Sequence, residues 1–191
     1  MHTVYLCHAK KLLVRIQPVI TKENILKINQ KLQSINYIHD ILRRPRSFSN
    51  VKKWKTSEVR LFILCIGLAI FAEFLSEEII GDLALYNIIL RLLHDYWDND
   101  KNLNDSIVSL LKIYIKNLSN KVDCDLYPPE LLTISTHTHL HLPLQCRKFG
   151  RLNWLTNFAF ESFLGYLKAF VKGSSGAGNK LLLHLFQTSL F

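Results

Sequence analysis

The sequence predicts a mainly α-helical chain, and three observations carry that prediction. Apolar residues recur at three- and four-residue spacing through most segments. The strict alternation of a half-buried strand is scarce. Five prolines, at 18, 45, 128, 129 and 143, supply boundaries between the periodic stretches. A chain of 191 residues with 49% hydrophobic residues can bury a sizeable interior, as one domain or a small core with an insertion.

The elements follow in order. Thr21 is a good N-cap, and Ile25, Leu26, Leu32 and Ile35 recur behind it at roughly helical spacing. That pattern dissolves at the basic stretch RRPRSFSNVKKWK, residues 43–55, which reads as a linker or surface loop. Thr56 or Ser57 then caps a helix with Glu58 in its first turn, and its apolar residues run nearly all round, as in a fully buried helix. Ser76, Glu77 and Glu78 open a further helix that carries Ile79, Leu83, Tyr86, Ile89, Leu90 and Leu93 inwards and reaches towards Tyr96; these two helices are expected to pack as a hairpin.

After the polar turn DNDKNLND, Ile107, Leu110, Leu111, Tyr114, Ile115 and Leu118 give the cleanest amphipathic pattern in the chain. The connection SNKVDCDLYPPE contains Asp123, Asp125 and Glu130, which read as a solvated acidic turn. A last helix from Thr156 or Asn157 would bury Phe160, Phe163, Leu164, Leu167 and Phe170, leaving Glu161, Gly165, Lys168 and Lys172 on the neighbouring stripe. GSSGAGNK reads as a flexible turn, because it lacks the Gly-Lys-Ser/Thr ending of a phosphate-binding loop.

Composition narrows the partners. The net charge of +9, from 24 Lys and Arg against 15 Asp and Glu, favours a polyanion, with DNA, RNA and an anionic membrane all compatible. Cys7, Cys65, Cys124 and Cys146 form no Cys-x-x-Cys pair and no spacing that suggests a nucleophile, so they read as structural thiols in a reducing compartment. The N-terminal segment has no small-residue cleavage site, and the apolar run at 61–72 is shorter than the roughly 20 residues of a membrane span. An intracellular protein, nuclear or cytoplasmic, with no membrane partner is expected.

Several blocks carry a resemblance. MHTVYLCHAKKLL places Met1 and His2 on a Met-His pair and Lys10, Leu12 and Leu13 on the basic and apolar positions of a following helix. RRPRSF at 43–48 and WKTSEVRLFIL at 54–64 follow. THTHLHLP then sets His137 and His141 in a His-x-x-x-His-Leu pattern, with FG at 149–150, and FAFESFLGYLKAFVKG brings Glu161. In this order the blocks resemble the C-terminal part of RNase H-like, three-carboxylate transposases related to the CACTA (En/Spm) group, across almost the whole chain.

The resemblance implies an incomplete RNase H-like α/β core: residues 1–20 following the second catalytic Asp, a helical insertion over 21–127, and a C-terminal segment, 128–191, carrying the Glu161 helix. That second Asp would precede Met1, so a catalytically inactive fragment is expected. The intact enzymes use Mg²⁺, and two-metal strand transfer needs carboxylates from separate parts of the fold. Glu161 is the one family-matched carboxylate here, and the resemblance implies that it would be a metal ligand only if the rest of the site were supplied; no cofactor is expected for the fragment, which makes Mg²⁺ a requirement of the intact enzyme alone. His139 stands where the family has an apolar residue.

Each candidate also has a plainer reading. Arg43, Arg44, Arg46, Lys52, Lys53 and Lys55, with Trp54 for stacking, suit a phosphate backbone, as do Arg147, Lys148, Arg151, Lys168 and Lys172; a charge run is also an ordinary solvated face. Glu161 also suits a solvated helix start. His137, His139 and His141 would share one face of a strand, whereas a helix would pair His137 with His141, but no Cys or carboxylate nearby completes a metal site, so structural histidines are favoured.

Three functions compete. First comes a transposase-derived chain that retains nucleic-acid affinity without strand transfer. An α-helical protein-interaction module follows, with a full-length transposase or a second copy as partner. An active Mg²⁺-dependent nuclease or strand-transferase ranks last.

Overall fold

A computed structural model describes residues 3–38, 41, 43–95, 101–123 and 127–152, all within a unit spanning Met1–Leu155. These residues are mainly helical, and no strand occurs among them.

The chain enters through π-helical turns, Thr3–Ala9, that run into α1, Lys10–Ile16. Val4, Tyr5, His8, Ala9, Leu12, Leu13 and Ile16 are buried. Their spacing draws one stripe along the helix and leaves Lys11 and Arg15 exposed. After a short turn through Pro18, α2 spans Lys22–Ser34. Thr21 caps it as expected, its Oγ1 accepting from the Asn24 N–H at 3.2 Å. Ile28 and Leu32 set the buried stripe; Leu26, expected inside, is exposed because it falls beside that stripe.

The basic stretch at 43–55 is not a linker. It winds into a 3₁₀ turn, Phe48–Lys53, and buries Phe48, Val51 and Trp54. Phe48, Trp54, Phe62 and Phe71 pack as a cluster of four rings, with edge-to-face approaches of 5.1–5.9 Å between centroids and a stacked Phe48–Phe62 pair at 6.0 Å. The apolar anchors hidden among the cations explain the difference, since burying each large ring contributes about 1.5–3 kcal/mol.

Next, α3, Thr56–Leu61, is capped at Lys55 rather than at Thr56 or Ser57, with the Glu58 carboxylate reaching back to the Lys55 N–H at 2.7 Å. Wider π turns, Phe62–Ile66, lead into α4, Gly67–Phe71. A Cβ on Gly67 would lie 2.9 Å from the Phe62 carbonyl oxygen and ring, so this close approach needs glycine. The stretch is also not buried all round, since Cys65, Ala69 and Ala72 are exposed.

The expected hairpin forms. In α5, Glu77–Asp95, all six predicted core residues are buried. Asn87 donates to the Ile63 carbonyl and Arg91 to that of Leu64 at 2.7 and 3.1 Å, so α5 side chains satisfy acceptors of the π turns. Along α5 lies α6, Lys101–Asp123, burying Ile107, Leu111, Tyr114 and Leu118 with Leu110 and Ile115 at the margin.

A 3₁₀ turn, Pro129–Leu131, introduces α7, Ile134–His137; a second 3₁₀ turn, Thr138–His141, leads to α8, Leu142–Phe149. Gly150 ends α8 at φ 94°, where a side chain would be strained. Leu152 then donates its N–H to the Leu93 carbonyl at 2.9 Å, fastening this segment to α5.

Candidate nucleic-acid interface

The cations of residues 43–55 divide into anchors and outward-facing heads. Arg46 is an anchor: its Nε lies 2.8 Å from Glu58 Oε1 and its Nη2 2.9 Å from Oε2, and Nη2 also donates to the Lys53 carbonyl. Glu58 is fully buried; burial raises its pKa, but the Arg46 side chain and the N–H groups of Lys55 and Arg46 outweigh that and hold it below the ordinary value. Arg46 therefore holds the turn in place, and its fork is already engaged.

Trp54 is likewise turned away from any ligand, contrary to the stacking role its place in the sequence suggests. Only 1% exposed, with Nε1 donating to the Ser47 carbonyl at 3.3 Å, it is a core residue and not a platform for bases. The exposed heads are Arg43, Arg44, Lys52, Lys53 and Lys55, with the Arg44 guanidinium 5.4 Å from the centre of the Tyr37 ring.

One of these heads belongs to a concave surface. Lys52 faces the first helix across a groove of about 540 Å³ that is also lined by Leu6, Lys10, Lys11, Val14, Arg15 and Leu131. Its walls are tied together: Lys10 Nζ donates to the Trp54 carbonyl at 3.0 Å, and Gln17 Nε2 donates to the carbonyls of Phe48 and Ser49 at 3.3 and 3.1 Å. The lining carries four cations and, among the described residues, no carboxylate. Arg147, Lys148 and Arg151 are exposed but do not line this groove.

The histidine-rich segment is helical, which removes the strand arrangement and separates the three side chains. His137 and His141 are exposed, their rings 5.4 Å apart in an edge-to-face pair. His139 points inwards, where its Nδ1–H donates to the Ser135 carbonyl at 2.6 Å and Nε2 accepts from the Tyr86 hydroxyl at 3.1 Å. Among the described residues no group of three or more His, Cys, Asp or Glu side chains is placed to hold a metal ion.

His139 belongs to a buried polar network that sequence reasoning missed. The Thr136 hydroxyl donates to the Leu131 carbonyl, so its oxygen accepts from His8 Nδ1–H at 3.1 Å, and His8 Nε2 accepts from the Tyr114 hydroxyl at 2.8 Å. Burial first, then the neighbouring His139 and Lys11, hold the His8 pKa well below its ordinary value; burial likewise lowers that of His139. Both imidazoles are thus neutral hydrogen-bonding links. Partners up to 128 residues apart leave no local pattern to read.

Among the described residues the two buried carboxylates, Glu58 and Asp82, each serve a cation. Asp82 Oδ2 meets Lys121 Nζ at 2.6 Å, joining α5 to α6. Compared with known protein families, curated proteins and solved structures, the chain matches none of them. Glu161, Lys168 and Lys172 lie outside the described residues. No described helix is long and apolar enough to cross a membrane.

Proposed function

We propose that this chain binds the phosphate backbone of nucleic acid through the exposed cations of residues 43–55. The observation that carries this reading is the division within that stretch. Phe48, Trp54 and the Arg46–Glu58 pair fix the turn in the core, and so hold Lys52, Lys53 and Lys55 outwards on a rigid support. A disordered charge run would pay the ordering entropy on binding; this one is ordered beforehand.

Binding, rather than strand transfer, is the activity proposed. Among the described residues the buried carboxylates Glu58 and Asp82 are committed to Arg46 and Lys121, and two-metal chemistry needs several uncommitted carboxylates held together. The sequence blocks support descent from an RNase H-like transposase, in which Glu161 would hold Mg²⁺ together with acidic residues from elsewhere. Mg²⁺-dependent DNA cleavage abolished by Glu161→Gln would replace the binding reading with the catalytic one.

An electrophoretic shift on duplex DNA at two salt concentrations tests the proposal. Affinity is expected to fall steeply with salt, and Lys53→Glu/Lys55→Glu to flatten the slope by about 0.9 for each phosphate no longer neutralised. Salt-independent binding, or none, would overturn it. A second reading, a protein-interaction module, draws on the exposed apolar side chains Ile134, Leu144 and Phe149 in the segment after Pro129, and predicts capture of protein without DNA.

A further inference from the structure

Beyond backbone contact, and resting on the nucleic-acid reading above, we infer that the groove between the first helix and the 48–53 turn is a single-strand site that seats an unstacked base against Leu6 and Val14 while Lys11 and Lys52 hold its phosphates. The sequence places these residues in two separated segments, and no sequence block joins them.

The lining has two chemistries in one concavity. Leu6, Lys10 and Val14 follow one another at four-residue intervals along a single helical face, so an apolar residue stands at either end of a lysine. Leu131, almost wholly buried, backs the floor from the turn Pro129–Leu131, and Lys52 comes from the turn opposite. Aliphatic floor and cationic rim together suit a ligand with a flat apolar face and an adjoining anion. A nucleotide within a strand has that composition. A volume of about 540 Å³ lies in the range that accepts a drug-sized molecule, so a base with its sugar fits.

The shape selects single strands over duplex. In a duplex the bases are stacked inside and the phosphates lie on a convex cylinder, so a base reaches the floor of a concave groove only if the helix opens. A single strand turns its bases out and tracks a cationic channel with its backbone. The walls are braced by Lys10 to the Trp54 carbonyl and by Gln17 to Phe48 and Ser49, so the groove needs little reorganisation to receive it.

Fluorescence anisotropy with the full chain decides the matter, using a labelled thymidine oligomer of about 12 nucleotides, the same length of duplex, and an abasic oligomer of equal charge. The thymidine oligomer is expected to bind at least about fivefold more tightly than either of the others. Lys11→Glu, an exposed change that should leave the circular dichroism spectrum intact, is expected to weaken single-strand binding about fivefold near 0.1 M salt, the value of one backbone contact. Equal affinity for all three probes, or an unaffected Lys11→Glu variant, would overturn the groove site. If duplex binding remained sensitive to Lys53→Glu/Lys55→Glu in that case, backbone binding would stand without the groove. Absence of binding to every probe would remove both.

Discussion

Arg46 and Glu58 form a fork-to-carboxylate pair across the start of α3, Nε to Oε1 at 2.8 Å and Nη2 to Oε2 at 2.9 Å. The carboxylate is fully buried while half of the Arg46 side chain remains exposed, so the pair is neither a surface ornament nor a sealed interior bridge. Its role is to close the turn that presents Lys52, Lys53 and Lys55. Arg46→Lys keeps the charge and loses the bidentate geometry. Thermal unfolding is expected to show a lowered midpoint, while the folded variant keeps the salt dependence proposed for DNA binding. A flattened salt slope with unchanged stability would instead make Arg46 a phosphate contact.

The neutral histidines predict a pH dependence with a defined sign. For His8 and His139 the folded-state pKa lies below the ordinary 6.5, so the unfolded chain binds protons first as pH falls. Their contribution to stability is full above about pH 6.5 and declines below it, through the folded-state values. The urea midpoint is expected to drop between pH 7 and 5, where carboxylates near 4.5 contribute little. His139→Leu should reduce that slope by removing one of the two imidazoles, and the Tyr86 hydroxyl, no longer donating to His139 Nε2, can turn to the Val4 carbonyl at 3.3 Å. A flat profile over this interval would refute the assignment of neutral buried imidazoles.

Tyr114→Phe tests the same network from its other end. The change removes the donor to His8 Nε2 and leaves a buried acceptor without a partner, with almost no change in volume. A loss of about 1–3 kcal/mol in denaturant unfolding is expected. A neutral effect would mean that His8 takes the other tautomer and finds its bonds elsewhere.

These cases show where the sequence was informative. Helices with a long one-sided repeat were readable: all six residues assigned to the core face of α5 are buried, and α6 turns inwards the positions that its spacing requires. Thr21 was readable as a cap because its signal is local. The basic stretch was not, because cations dominate its composition while Phe48, Val51 and Trp54 decide its burial. Nor was the role of Glu58, whose acceptance of the Lys55 N–H moves the cap one residue earlier. The groove joins Lys10 and Lys11 to Lys52 and Leu131, and the polar network joins His8 to Thr136; both depend on packing between segments that no periodicity links.

Gly67 offers the sharpest test of the local geometry. The π turns bring the Phe62 carbonyl within hydrogen-bonding reach of the Gly67 N–H, and the Phe62 ring borders the place a Cβ on Gly67 would take. An alanine methyl would meet backbone oxygen and aromatic carbon at 2.9 Å, and neither can yield without disturbing the Phe48–Trp54–Phe62–Phe71 cluster. Gly67→Ala is therefore expected to destabilise by about 1–3 kcal/mol, despite the higher helix propensity of alanine. Gly81→Ala on α5 is the control, because nothing lies within 4 Å of the place its methyl would take and propensity alone should act there, raising stability by up to about 1 kcal/mol. Opposite signs at the two positions, measured by urea unfolding, would separate steric constraint from propensity. Stabilisation at both would show that the π turns can relax to an ordinary helix.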